Sequence, residues 1–275
     1  MRSILKFFLL AYFVSWSFWI AAAAISGWSA SPPPELALVA GLLFLFGTIT
    51  PSLVALVLTA RAHGREETLT LLRRTVRWRV GVQWYIFAIA YMAAIKLTVA
   101  LLHLIVTGAW PKFGQTPWYI MAAAIVFSTP VQAGEEIGWR GYALPRLTRH
   151  FGLAPASILL GVIWASWHFP FFFISRSDNA GQSFPVYLLA VTALSVAMAW
   201  LYWRTNGSLL LTMLMHAAIN NTAGMVSSPP SAATNPFTLR PSLTAWLTAG
   251  VLWLGAAFLL LRMPKGESSR EILNS

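Results

Sequence analysis

Apolar runs of about 20 residues, each long enough to cross the hydrocarbon core of a bilayer, recur along almost the whole of this 275-residue chain. Only 10% of its residues are charged and 57% are hydrophobic. Soluble domains carry about 25% charged residues, so this chain lacks the charge to cover a water-facing globular surface. The pattern implies an all-α fold: a polytopic transmembrane helix bundle of about eight spans forming one transmembrane domain over 1–275. The spans are expected over about Leu5–Ile25, Leu36–Ala60, Val82–Val106, Pro117–Leu144, Ala154–Ile174, Phe184–Trp203, Gly207–Val226 and Leu243–Leu261. Thr50-Pro51 predicts a kink in the second and Pro130 an interruption in the fourth.

The net charge of +11 would suggest nucleic acid in a soluble protein. Here its placement points to membrane orientation, and no nucleic-acid-binding signature accompanies it. Arg2 and Lys6 lie at the start of the first span; Arg61, Arg65, Arg73, Arg74, Arg77 and Arg79 follow the second; Arg140, Arg146 and Arg149 lie at or after the end of the fourth. Arg204 separates the sixth and seventh, and Arg262, Lys265 and Arg270 follow the last. The alternate connections hold only Lys112, Arg176 and Arg240. Basic residues concentrate in cytoplasmic loops, so both termini are expected in the cytoplasm, with the chain in a bacterial cytoplasmic membrane. Residues 61–81 read as a basic amphipathic connector on the cytoplasmic leaflet, and 263–275 as a polar tail. Ala22-Ala23-Ala24 resembles a signal-peptide cleavage site, but the preceding apolar run is long for one, so the first helix is read as retained.

Ionisable residues inside spans are costly and mark function. Of eight acidic residues, Glu35, Glu66, Glu67, Asp178, Glu267 and Glu271 fall in loops or the tail, leaving Glu135 and Glu136 in the fourth span. His168, His216, Asn220 and Arg140 complete the polar set. At about 100° per residue, Glu136 and Arg140 share a helix face and are expected to pair, while Glu135 points roughly 140° from Arg140 and is left for chemistry. His216 and Asn220 are one turn apart, as are Trp164 and His168, whose indole would wall the site. Singly, each residue has a structural explanation: a solvated helix end for the glutamates, a helix–helix hydrogen bond for either histidine. Lys96 in the third span is assigned no role.

Together these residues suit hydrolysis of a peptide bond. Glu135, with His168, would deprotonate water, and His216 and Asn220 would hold the oxyanion. Alternatively, Glu135, His168 and His216 would hold a zinc ion that activates water. No HExxH stretch occurs, Asp178 is the sole aspartate, and there is no cysteine. These absences exclude the common zinc-helix arrangement, a two-aspartate protease and a cysteine nucleophile. Ser208 reads as a helix cap, with no GxSxG around it.

The run Glu135-Glu136-Ile137-Gly138-Trp139-Arg140-Gly141 is similar to the EExxxR motif of the CAAX prenyl protease and bacteriocin-processing family, also called CPBP or Abi proteins. Trp164-Ala165-Ser166-Trp167-His168 resembles the family's FxxxH motif with Trp for Phe, and His216-Ala217-Ala218-Ile219-Asn220 its HxxxN motif. All three occur in family order within a core of about 118–222. The resemblance implies an intramembrane endopeptidase, described as a metalloprotease, acting on hydrophobic or lipid-modified, CaaX-like peptides within the lipid bilayer. It implies that Glu135 and His168 activate water and that His216 and Asn220 stabilise the oxyanion. Cleavage is expected near the cytoplasmic side. Two other readings compete: a non-catalytic self-immunity or scaffold protein with the same core, and a transporter using Glu135 and His168 as a proton relay.

Overall fold

The computed structural model describes residues 2–228 and 235–264; the remainder of the expected polar tail, 265–275, lies outside the described residues. The architecture is all-helical, without a β-strand among the described residues. Helix α1 covers Arg2–Ile25, α2 Ala37–Arg73, α3 Val82–Thr107 and α4 Trp118–Ser128. A short α5, Ala133–Glu136, runs into a π-helical stretch, Ile137–Ala143, and then into α6, Leu144–Phe151. Helices α7 (Leu153–Trp167), α8 (Phe184–Arg204), α9 (Leu209–Thr222) and α10 (Leu243–Leu261) complete the bundle. Among the described residues six helices are long and apolar enough to cross a membrane: α1, α2, α3, α7, α8 and α10. The other two expected spans are shorter. The fourth is divided at Thr129–Gln132 by Pro130, and the seventh is the 14-residue α9.

The second span departs from expectation in an instructive way. Backbone dihedrals stay helical through Pro51; the break in α2 falls at Gly64, with φ 79°. Proline removes one N–H donor and frees the carbonyl four residues earlier. That carbonyl, Gly47 O, accepts a hydrogen bond from Ser15 Oγ at 2.7 Å. The freed group is therefore satisfied by α1, as a water-free environment requires, and the two helices are tied together where the proline would otherwise leave a defect. Beyond Gly64 the basic connector remains helical to Arg73 and buries Leu71.

Ser52, the residue after that proline, performs a second repair. Its hydroxyl donates to Ala133 O at 2.6 Å and accepts from Gly138 N at 3.2 Å. It thereby spans the turn where α-helix becomes π-helix, a place where the regular ladder is disturbed. Gly138 allows this approach, because a Cβ there would stand 2.6 Å from the Pro51 carbonyl carbon. Helix α1 also holds α7, through Trp16 Nε1 donating to Trp167 O at 2.8 Å and through Tyr12 donating to Ile163 O.

Close helix approach recurs between α7 and α8, where Gly161 faces Thr192 and Ser195. A Cβ at Gly161 would meet Thr192 Cα at 2.7 Å and Ser195 Cβ at 2.9 Å. Small residues at such contacts are the usual means of tight packing in membranes. Gly161→Ala is therefore expected to destabilise the protein by about 1–3 kcal/mol, the usual cost of overpacking, read as a lowered Tm in detergent. Gly250→Ala, where a Cβ meets nothing within 4 Å, should not lower Tm.

Candidate active site

The π-helical stretch carries Arg140 and follows directly on Glu135 and Glu136, so the first motif sits where helical winding changes. Glu136 and Arg140 are completely buried, and Glu135 is 7% exposed. As the four-residue spacing implied, Arg140 Nη1 donates to Glu136 Oε1 at 2.7 Å. The same oxygen accepts from His216 Nδ1 at 2.9 Å. A carboxylate only accepts when ionised, so Nδ1 carries a proton and Nε2 is the ring nitrogen left for other partners. Glu136 thus joins the motif of the fourth expected span to that of the seventh.

Glu135 points elsewhere, also as expected. Its Oε2 accepts from Trp164 Nε1 at 2.8 Å. Trp164 is therefore more than a wall: it donates to Glu135, lies under the Arg140 guanidinium at 4.1 Å from its ring centroid, and meets His216 and His168 edge-on at 5.2 and 5.8 Å. His168 caps the end of α7, and its Nδ1 lies 2.9 Å from Trp164 O. A carbonyl only accepts, so here too Nδ1 holds the proton and Nε2 is the basic nitrogen. The Trp-for-Phe departure thus supplies an N–H that phenylalanine lacks. Sequence reasoning missed that bond; the signal was the indole donor one helical turn before His168.

Glu135, Trp164, His168, His216 and Asn220 all line one cavity of about 1220 Å³. Asn220, one turn beyond His216 on α9, is exposed, while Glu136 and Arg140 are buried behind the cavity surface. Apolar walls come from Trp19, Trp167, Phe171 and Tyr187, with Gln132 and Lys96 adding polar groups. The rim is made by the connections near Lys112–Gln115, Arg176–Ser183 and Ala223–Ser228, and no described lining residue comes from the arginine-rich connections. Short backbone pairings fix this rim: Ala30 N to Ser175 O at 2.8 Å and Gly114 N to Met225 O at 3.1 Å.

The metal alternative fares differently. Among the described residues no group of three or more His, Asp or Glu side chains is placed to hold a metal ion. Glu135, His168 and His216 share a cavity without forming a ligand set, one oxygen of Glu135 being held by Trp164 and Nδ1 of His216 by Glu136. The geometry gives the zinc reading no support.

Residues 113–222 match the family model described as type II CAAX prenyl endopeptidase Rce1-like. The motif-bearing segment is thus similar to that family. A curated relative, CAAX prenyl protease 2 of Methanococcus maripaludis, is 24% identical over 266 residues, covering 93% of this chain and 92% of the relative. The resemblance read from three short motifs therefore extends, in alignment, over nearly the full length. It includes segments such as α1 to α3 that carry none of the motifs.

The network predicts unequal tolerance of the paired glutamates. Glu136→Ala leaves a buried guanidinium without its counter-ion and should cost about 3–5 kcal/mol, seen as a large fall in Tm. Glu135→Ala removes one hydrogen bond at the cavity surface and should lower Tm far less.

Proposed function

We propose that the protein is a membrane-embedded endopeptidase of the CAAX prenyl protease type, hydrolysing hydrophobic or lipid-modified peptides with water activated by Glu135. The observation that carries this reading is the shared cavity: a carboxylate, two imidazoles and an amide face one space large enough for a peptide. In this reading Glu135, oriented by Trp164 Nε1–H, takes a proton from water, assisted by the basic Nε2 of His168. The water oxygen attacks the scissile carbonyl carbon. The oxyanion that forms is met by the Asn220 amide and by His216, which acts here as an imidazolium, its Nδ1–H bonded to Glu136 and its Nε2–H facing the oxyanion. Collapse breaks the C–N bond, and Glu135 returns its proton to the leaving amine. Glu136 and Arg140 touch no substrate; they hold His216 and compensate one another. The core of about 118–222 would carry the chemistry, with the rest of the bundle shaping the cavity.

The similarity to a protein named CAAX prenyl protease 2 supports this reading over transport or immunity alone. Replacing the proton acceptor should reduce turnover sharply without harming the fold. For Glu135→Gln we expect cleavage of a lipidated peptide to fall by about 10²-fold or more, the usual range for a general base, with Tm unchanged. Cleavage retained at the wild-type rate would remove Glu135 from the mechanism.

Sidedness belongs to the same proposal. The cavity rim is built from the sparsely charged connections, opposite the arginine-rich ones. Under the distribution of basic residues, the site then opens away from the cytoplasm, contrary to the cytoplasmic-side cleavage expected from sequence. The chain has no cysteine, so single substitutions report cleanly. Gln115→Cys on the rim should react with a membrane-impermeant maleimide on intact cells, and Arg79→Cys only after permeabilisation. The reverse pattern would return the site to the cytoplasmic face.

A further inference from the structure

Lys96 has no place in the mechanism above, yet it lies in the same cavity. It sits near the middle of α3, one of the membrane-length helices, and is 4% exposed. An ammonium group has three protons to donate. Here Nζ reaches Val226 O at 3.5 Å and Thr248 Oγ1 at 3.4 Å, both at the outer limit for a hydrogen bond. Among the described residues no ion pair involves Lys96. Lysines near helix ends reach the interface with their stems; one near mid-helix, pointing into the bundle, does not.

A buried cation in a span is expensive unless paired. Arg140 meets that condition through Glu136, whereas Lys96 meets it with no acidic side chain among the described residues. Its counter-ion must therefore come from what enters the cavity. The same cavity is lined by Met92, Val191, Leu194 and Leu252, so the anion has to arrive attached to an apolar body. For a peptide, that anion is a carboxylate: the one at its C-terminus, or one on an acidic side chain. The terminus is favoured, because it leaves the flanking side chains free to be apolar, as these walls require.

We propose that Lys96 is the recognition site for the free C-terminal carboxylate of the bound peptide. This deepens the peptidase reading and rests on it. Lys96 lies outside the residues matched by the family model, and the inference stands on its burial and missing partner rather than on the motifs.

The test uses the full chain in nanodiscs and a fluorescent peptide with an S-farnesyl cysteine fourth from its end. It is made in three forms: free C-terminal acid, C-terminal amide, and amide with a glutamate among the last three residues. Binding is measured on Glu135→Gln, so that turnover does not intervene. The acid should bind about tenfold or more tightly than the amide, the value of one charge-assisted hydrogen bond. Adding Lys96→Met should erase that ratio by weakening the acid alone, while Lys96→Arg should keep part of it. Tm of Lys96→Met should not fall, since an apolar isostere removes a buried charge. Equal binding of acid and amide, or a ratio indifferent to Lys96→Met, overturns the proposal. The glutamate-bearing amide binding as tightly as the acid overturns the terminal assignment. Lys96-dependent binding of the acid, with no cleavage by the wild type, overturns the peptidase reading and leaves the carboxylate site standing.

Discussion

A charge buried where water is absent has to be answered by another charge, and in this protein one carboxylate oxygen answers two. Glu136 Oε1 accepts from Arg140 and from His216. The first bond stays within one helical turn, but the second crosses to α9. Through the indole beneath Arg140, the same cluster reaches α7. Three sequence-distant motifs thus meet around a single electrostatic centre, and the orientation of His216 follows from it. Glu135 is left at the cavity surface because its neighbour occupies the buried position.

The backbone obeys the same economy. Unsatisfied peptide groups in a bilayer cost several kcal/mol each, and this bundle places irregular backbone beside side chains that satisfy it. Ser15 serves the carbonyl released by Pro51, and Ser52 serves the turn at the start of the π-helical stretch. Gly138 lets α2 come close enough for that second bond. These compensations place the first motif at a local change of winding, next to the cavity rather than deep in a uniform helix.

The likeness to CAAX prenyl proteases covers almost the whole chain at modest identity. Two features distinguish this chain within that likeness. Trp164 gives Glu135 a donor that the family's phenylalanine does not, and the proposed carboxylate site at Lys96 adds a determinant outside the motif-bearing segment. Both act on groups already facing the cavity, so both bear on orientation and selection rather than on the kind of reaction.

Much was legible beforehand because it depended on local periodicity. Apolar run length implied helices that cross a membrane, the four-residue spacing implied the Glu136–Arg140 pair, and the opposing direction of Glu135 followed from helical geometry alone. Other features were decided only by packing between segments far apart in sequence. The carbonyl that Pro51 frees is taken up by a serine of α1, a partner no local pattern names. His216 meeting Glu136 across 80 residues, and Trp164 donating to Glu135 across 29, required helices whose mutual rotation no spacing encodes. The side on which the cavity opens, and the isolation of Lys96 within it, likewise depended on which loops form the rim and which carbonyls lie near α3. Periodicity fixes the face a residue occupies on its own helix; the partner across that face is chosen by how the helices close against one another.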